Sequence, residues 1–85
     1  MKSFTYVITD PVGIHARPAG LLVKKAKETG DVITVSCNGR QAEATRLMAL
    51  MSLGIRQGME VTVTVEGDQE EQSTEAMQAF FEENF

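Results

Sequence analysis

The chain has little of what elaborate sites are built from: one histidine, one cysteine, one tyrosine and no tryptophan in 85 residues. A lone Cys37 excludes an internal disulfide and any cysteine-based metal framework. A single histidine, His15, with no carboxylate cluster beside it cannot complete a metal site, so neither a metal nor a cofactor is expected. No apolar run exceeds a few residues, which excludes a membrane-inserted helix, and no apolar stretch near the start makes a signal peptide. Together with the cysteine usage these features favour the cytoplasm. Nucleic acid is not an expected partner either, because net charge is -4 and no aromatics are interleaved with the bases.

Basic residues are absent from the last third of the chain. Residues 1–56 hold all eight bases and four acids, whereas residues 57–85 hold eight acids and no base. A basic face beside the histidine can steer it towards acidic partner proteins. Hydrophobic content of 42% and charged content of 24% describe an ordinary globular chain. Its length makes a single domain, 1–85, with a core too small to enclose a large substrate.

What is present is strong periodicity. Phe4, Tyr6 and Ile8 alternate on one face of a strand over 4–9, and Asp10-Pro11-Val12-Gly13 follows with turn chemistry. Ala19, Leu22, Val23 and Ala26 recur at helical spacing over 16–28, and Gly30 ends that helix. Ile33, Val35 and Cys37 share one face of a strand over 32–37; Cys37 therefore reads as a small core residue. Asn38-Gly39 is a type I′ hairpin signal into a short strand over 40–43. Thr45 is read as the N-cap of a short helix over 46–52. Valines and threonines alternate over 60–66, the clearest strand in the chain. Asp68 and Glu71 form a cap-like pair before a helix ending near Glu83, which buries Met77, Phe80 and Phe81 with Ala76 and Ser73 alongside. The order βαββαβα predicts an α/β fold of the α+β type. It is an open-faced sandwich: one four-stranded antiparallel sheet covered on one face by three helices.

The only histidine lies in Gly13-Ile14-His15-Ala16-Arg17-Pro18-Ala19, one residue before the predicted helix start. Neutral imidazole has one unprotonated ring nitrogen, and a phosphorus–nitrogen bond to it stays labile enough for onward transfer. The product carries nearly two negative charges. Free backbone N–H groups and the helix dipole stabilise such an anion, the dipole by about 0.3–1 kcal/mol. Arg17 can add a charge-assisted hydrogen bond. Pro18 costs little in the first turn, where its missing N–H has no intrahelical partner anyway. On spacing alone, a lone histidine near a helix start is more often a cap or a surface residue than a chemical group. A nucleophile pair with Ser3, Ser36, Ser52, Ser73 or Cys37 has no support in the spacing.

At these residues the sequence resembles HPr, the histidine-containing phosphocarrier family of the bacterial phosphoenolpyruvate-dependent sugar phosphotransferase system. The segment 13–19 resembles the family's active-site motif, and Met48-Ala49-Leu50-Met51-Ser52-Leu53-Gly54-Ile55 its second signature. The resemblance covers essentially the whole chain. It implies that His15, at Nδ1, accepts phosphate from Enzyme I and passes it to IIA domains of sugar permeases. The chain is then a non-enzymatic carrier rather than an independent enzyme. It also implies phosphate stabilisation by Arg17 and by the loop backbone at Ala16 and Arg17. Partner docking would fall to Lys24, Lys27, Leu47, Met48 and Met51, with one of the last three expected to turn into the core. Transient docking of this kind favours a monomer.

Two positions depart from the family pattern. Val12 replaces a small polar residue, so one side-chain contact to the phosphate loop is expected to be missing. Arg46 stands where many relatives carry a serine phosphorylated by a regulatory kinase, so the regulatory serine is absent. Thr45 is read as a cap and Ser52 as structural, with substitution of either for that serine left open. The alternative function is an HPr-like regulatory protein in carbon or nitrogen control, acting by protein binding.

Overall fold

A computed structural model describes residues 1–85. Its elements are β1 (Lys2–Val7), α1 (Ala16–Thr29), β2 (Val32–Cys37), β3 (Arg40–Glu43), α2 (Leu47–Ser52), β4 (Glu60–Glu66) and α3 (Glu70–Asn84). The strands form one sheet in the order β1-β4-β2-β3, with every neighbouring pair antiparallel. β4 lies between β1 and β2, and β2 lies between β4 and β3. The chain is thus two interleaved β–α–β units, β1-α1-β2 and β3-α2-β4, closed by α3.

Period-two alternation decides which face is covered. Val61, Val63 and Val65 of β4, Ile33, Val35 and Cys37 of β2 and Ala42 of β3 are all buried. Phe4 and Tyr6 pair with Val63 and Val61 and are half-buried on the same side. The other face carries Ser3, Thr5, Thr34, Ser36, Thr62 and Thr64, and no helix covers it. Pro18, Ala19, Leu22 and Ala26 form the buried stripe of α1, and Ser73, Met77 and Phe81 that of α3. Phe81 centres an aromatic cluster, with Phe4 and Tyr6 edge-on at 5.9 and 5.8 Å and Phe85 at 5.1 Å. Such contacts add about 0.5–1.5 kcal/mol each beyond buried area. The hairpin follows its sequence signal, with Asn38 at φ 52° and Gly39 at φ 78°. The expected fold is the observed one.

Two helix starts differ from expectation. Thr45 caps nothing. The N-cap of α2 is Arg46, at φ -116° and ψ 101°. The reason is that strand pairing runs past β3: Ala44 N–H donates to the Ile33 carbonyl at 2.8 Å, and a turn from Arg46 N–H to Glu43 C=O follows. The helix therefore starts one residue later than its side chains suggest. Asp68 is not a cap either, since Gln69 takes that position in α3 without a side-chain cap bond. A carboxylate arrives from another turn instead. Asp31 accepts from Ser73 Oγ at 2.8 Å and from Gln69 N–H at 3.5 Å. Glu70, in the first turn of α3, is held below the ordinary carboxylate range chiefly by a hydrogen bond from the Met1 ammonium, against a smaller effect of burial.

The segment 8–14 is tied down on two sides. Phe85, beyond the predicted end of the last helix, is buried. Its main-chain oxygen accepts from the Thr9 and Asp10 N–H groups and from Thr9 Oγ1. On the other side Ile14 N–H donates to Ile55 C=O at 3.2 Å and Gly58 N–H to Ile8 C=O at 2.8 Å. Gln57 Nε2 adds a bond to Thr9 C=O at 3.1 Å. Gly13 makes this clamp possible. It has φ 77°, and a Cβ there would lie 2.7 Å from Arg56 Cα. Gly39 has a similar φ of 78° but open space around it. Gly39→Ala should therefore cost only the backbone strain, about 1 kcal/mol, while Gly13→Ala should cost about 3 kcal/mol or more. Urea denaturation of the two variants checks this, and equal losses would contradict the clamp.

Candidate functional site

The clamp delivers His15 to the N-cap of α1 in extended conformation, φ -121° and ψ 178°. Its carbonyl accepts the first helical bond, from Ala19 N–H at 2.9 Å. Its side chain makes no cap bond and is half-buried. The imidazole is thus left free while its backbone is fixed. Ala16 and Arg17 find no backbone acceptor for their N–H groups, and Pro18 has none to offer. Two free donors therefore stand at the positive end of a 14-residue helix, directly after the imidazole.

Arg17 is exposed and takes part in none of the ion pairs, which join Met1 to Glu70, Lys2 to Glu71 and Arg46 to Glu43. The first turn of α1 contains no acidic residue. Every charge there is therefore positive and unspent. Asp10 is the nearest acid in sequence, but its carboxylate accepts from Val12 N–H at 2.8 Å and so closes the turn before the site. Val12 itself is 64% exposed and leaves the loop bonds to main chain and to Asp10.

Lys24 and Lys27 are exposed on α1, one and two turns beyond Gly20 on the same side as Arg17. α2 packs beside α1. Leu47, Met48 and Met51 are 38, 77 and 37% exposed, so none of the three turns into the core as expected. Leu50 and Leu53 fill that role, being 0 and 8% exposed. With α1 on one flank and β3 on the other, a one-and-a-half-turn helix has room for only one inward stripe. Arg46 is exposed and pairs loosely with Glu43 at 3.6 Å. Ser52 Oγ is engaged, donating to Ala49 C=O at 2.7 Å. Cys37 is buried and 4% exposed, in keeping with a core residue.

No surface hollow encloses His15. The hollows lie along residues 67–72, in the groove between α1 and α3, and on the uncovered sheet face. Any group transfer at so open a position would need a second macromolecule to close over it. Residues missed by the sequence reading are those of the clamp, Ile55, Gln57, Gly58 and Phe85. Only Gly54 and Gly58 hinted that a loop was there.

The comparisons with known proteins agree with this geometry. Residues 2–83 match the PTS-HPr family, described as "PTS HPr component phosphorylation site". The Phosphocarrier protein HPr of Mycoplasma genitalium is 41% identical over 85 residues, covering 99% of this chain and 97% of that protein. The crystal structure of HPr-C-His from Thermoanaerobacter tengcongensis superposes with a TM-score of 0.93 at 38% identity, covering 100% of this chain and 96% of the other. Crh, the catabolite-repression protein of Bacillus subtilis, superposes with a TM-score of 0.78 at 32% identity, over 88% of this chain and 86% of the other. This chain belongs to the HPr family, the phosphocarrier proteins of the phosphotransferase system.

Proposed function

We propose that His15 is the phosphoryl acceptor of this carrier, that Nδ1 is the reacting atom, and that Enzyme I is the donor and IIA proteins the acceptors in sugar uptake. The observation that carries this reading is the free imidazole at the N-cap of α1, followed by two unbonded N–H groups. In the forward step the Nδ1 lone pair forms a bond to phosphorus as the donor's bond to phosphorus breaks, and the donor leaves with that electron pair. The phosphoryl oxygens then meet the N–H groups of Ala16 and Arg17 and the Arg17 guanidinium. Transfer to the acceptor reverses these bonds. Lys24 and Lys27 meet carboxylates around the partner's site, and Leu47, Met48 and Met51 supply apolar contact. The carrier works as a monomer in the cytoplasm, because one open surface must be met by donor and acceptor in turn.

Incubation with Enzyme I and phosphoenolpyruvate should give an acid-labile, alkali-stable phosphate, absent in His15→Ala. No labelling of a folded wild-type chain would favour a binding-only regulatory role, the alternative that the likeness to Crh keeps in view. Arg17→Glu should slow transfer by about 10–100-fold, the scale of a lost charge-assisted bond. Lys24→Glu should cost only a few-fold, since an exposed partner contact is worth about 1 kcal/mol or less. Equal losses would contradict the division between a phosphate-binding arginine and a docking lysine.

The second part of the proposal concerns control. Arg46 cannot accept a phosphate, Ser52 is already bonded within its helix, and Thr45 lies half-buried in the turn before α2. The carrier therefore escapes the serine-phosphorylation brake. Incubation with an HPr kinase/phosphorylase and ATP, read by mass spectrometry, should leave the wild type unmodified and phosphorylate Arg46→Ser. A stoichiometric phosphoester on Thr45 or Ser52 would overturn this.

A further inference from the structure

The sulfur of this chain resides in one cysteine and five methionines, and folding divides them sharply. Cys37 and Met77 lie in the core, 4 and 0% exposed. Met59 is half-buried, and its Sδ already accepts a hydrogen bond from Arg56 N–H at 3.3 Å. The remaining three are open to solvent: Met1 at 74%, Met48 at 77% and Met51 at 37%. Met1 lies on the uncovered sheet face with Val32, Thr34 and Thr64. Met48 and Met51 stand one turn apart on the exposed side of α2, beside Leu47.

The fold gains little from an apolar side chain left as exposed as Met48. A thioether differs from other apolar groups in one chemical respect, since its sulfur accepts an oxygen atom. With hydrogen peroxide the sulfur lone pair forms a bond to one oxygen as the O–O bond breaks, and the other oxygen leaves as water. Methionine is oxidised by two electrons and peroxide is reduced. The product, a sulfoxide, is polar where the thioether was not, and thiol-dependent methionine sulfoxide reductases reverse the step. Cys37 is too buried to compete for the oxidant. The start of α2 offers no serine for phosphorylation, because Arg46 stands there. Exposed sulfur is therefore the reactive group that this helix presents.

We propose that Met48 is a reversible oxidation site that controls phosphotransfer: its sulfoxide places a polar oxygen in the apolar contact made by α2 and weakens docking of the phosphoryl donor. The inference rests on the reading that partners dock around His15 and on α2. His15, Arg17, Lys24 and Lys27 are untouched by the step, so docking is weakened while the transfer chemistry is kept. Met77 and Cys37 are shielded, so the fold is kept as well.

The test treats the full chain with hydrogen peroxide, locates the added oxygen by mass spectrometry of its peptides, and measures Tm and phosphoryl transfer from Enzyme I. Met1 and Met48 should be oxidised first, Met51 later, and Met59 and Met77 last. KM should rise about tenfold, the scale of a polar group left unpaired in an apolar contact, with kcat within about twofold. Tm should move by less than about 3 °C, and methionine sulfoxide reductases acting on both epimers should restore KM. Met48→Leu, compared only with itself before and after treatment, should lose most of the rise although Met1 and Met51 are still oxidised. An equal rise in Met48→Leu overturns the assignment to Met48, as does oxidation of Met59 or Met77 ahead of it. A large fall in Tm also overturns the inference, because the loss then comes from unfolding. An unchanged KM in an active chain carrying Met48 sulfoxide overturns this inference alone. Absence of any transfer to the untreated wild type would overturn the carrier reading and this inference with it.

Discussion

The contact on which the site depends is backbone against backbone: Gly13 and Ile14 laid on Ile55 and Arg56. There the Ile14 N–H reaches the Ile55 carbonyl, and no Cβ at position 13 fits. Ile14 is buried as a consequence, and its neighbour His15 is turned outward at the head of α1. A local loop alone has no reason to hold an imidazole in that position. Residues 55–59 come from the far side of α2, so the placement of His15 is a tertiary property of the whole fold. The main-chain oxygen of Phe85 adds a second anchor at Thr9 and Asp10. With both ends fixed, the segment delivers two free N–H groups and one free ring to the same point in space.

The electrostatics of that point are unusual for a resting helix. N-termini ordinarily attract acids, as α3 does with Glu70 and Glu71 in its first turn and Asp31 reaching in from outside. α1 has the opposite arrangement: no acid, no side-chain cap and Arg17 in the first turn. Positive dipole end and positive side chain repel one another mildly while the site is empty. A phosphoryl group with nearly two negative charges is attracted by both, and those attractions outweigh the mild repulsion between them. A helix start of this kind suits an anion, in keeping with the phosphoryl site proposed at His15.

How much of this could be read from the residues depended on whether the signal was local. Strand β4 is given residue for residue by its valine–threonine alternation, and the β2–β3 turn by Asn38-Gly39, because both depend on neighbours in sequence. Of the predicted stripe of α1, Ala19, Leu22 and Ala26 are buried, Val23 is half-buried against the core, and Pro18 joins them. The helix starts at Thr45 and Asp68 were misread because their competitors are distant. An extended pairing of Ala44 with Ile33 shifts one helix, and the carboxylate of Asp31 serves the other. Burial of Leu50 over Leu47, Met48 and Met51 was not decidable from apolarity, since all of them satisfy a helical stripe until α1 and β3 are in place. For the site, His15 and Arg17 stood out by composition and position, but only the resemblance of residues 13–19 to the family's motif gave them a role. The clamp at residues 55–59 was not legible, because apart from Gln57 Nε2 its bonds run through main chain and carry no side-chain signature.

Departures from local preference gather on one side of the molecule. α1 begins without a cap and carries a glycine in its middle; α2 begins with Arg46, which has no acceptor to offer the free N–H groups; Met48 stands 77% exposed. Each is individually unfavourable to an isolated domain. The sheet, its hairpin and the aromatic cluster around Phe81 obey the ordinary rules of alternation and packing. Such a distribution is expected when stability is supplied by one layer and function by another. The sheet and α3 hold the fold, which lets α1 and α2 keep charges unpaired and apolar groups uncovered for a partner. An unpaired Arg17 and an uncovered Met48 are weaknesses in the free protein. Under the proposed docking around His15 they become favourable contacts.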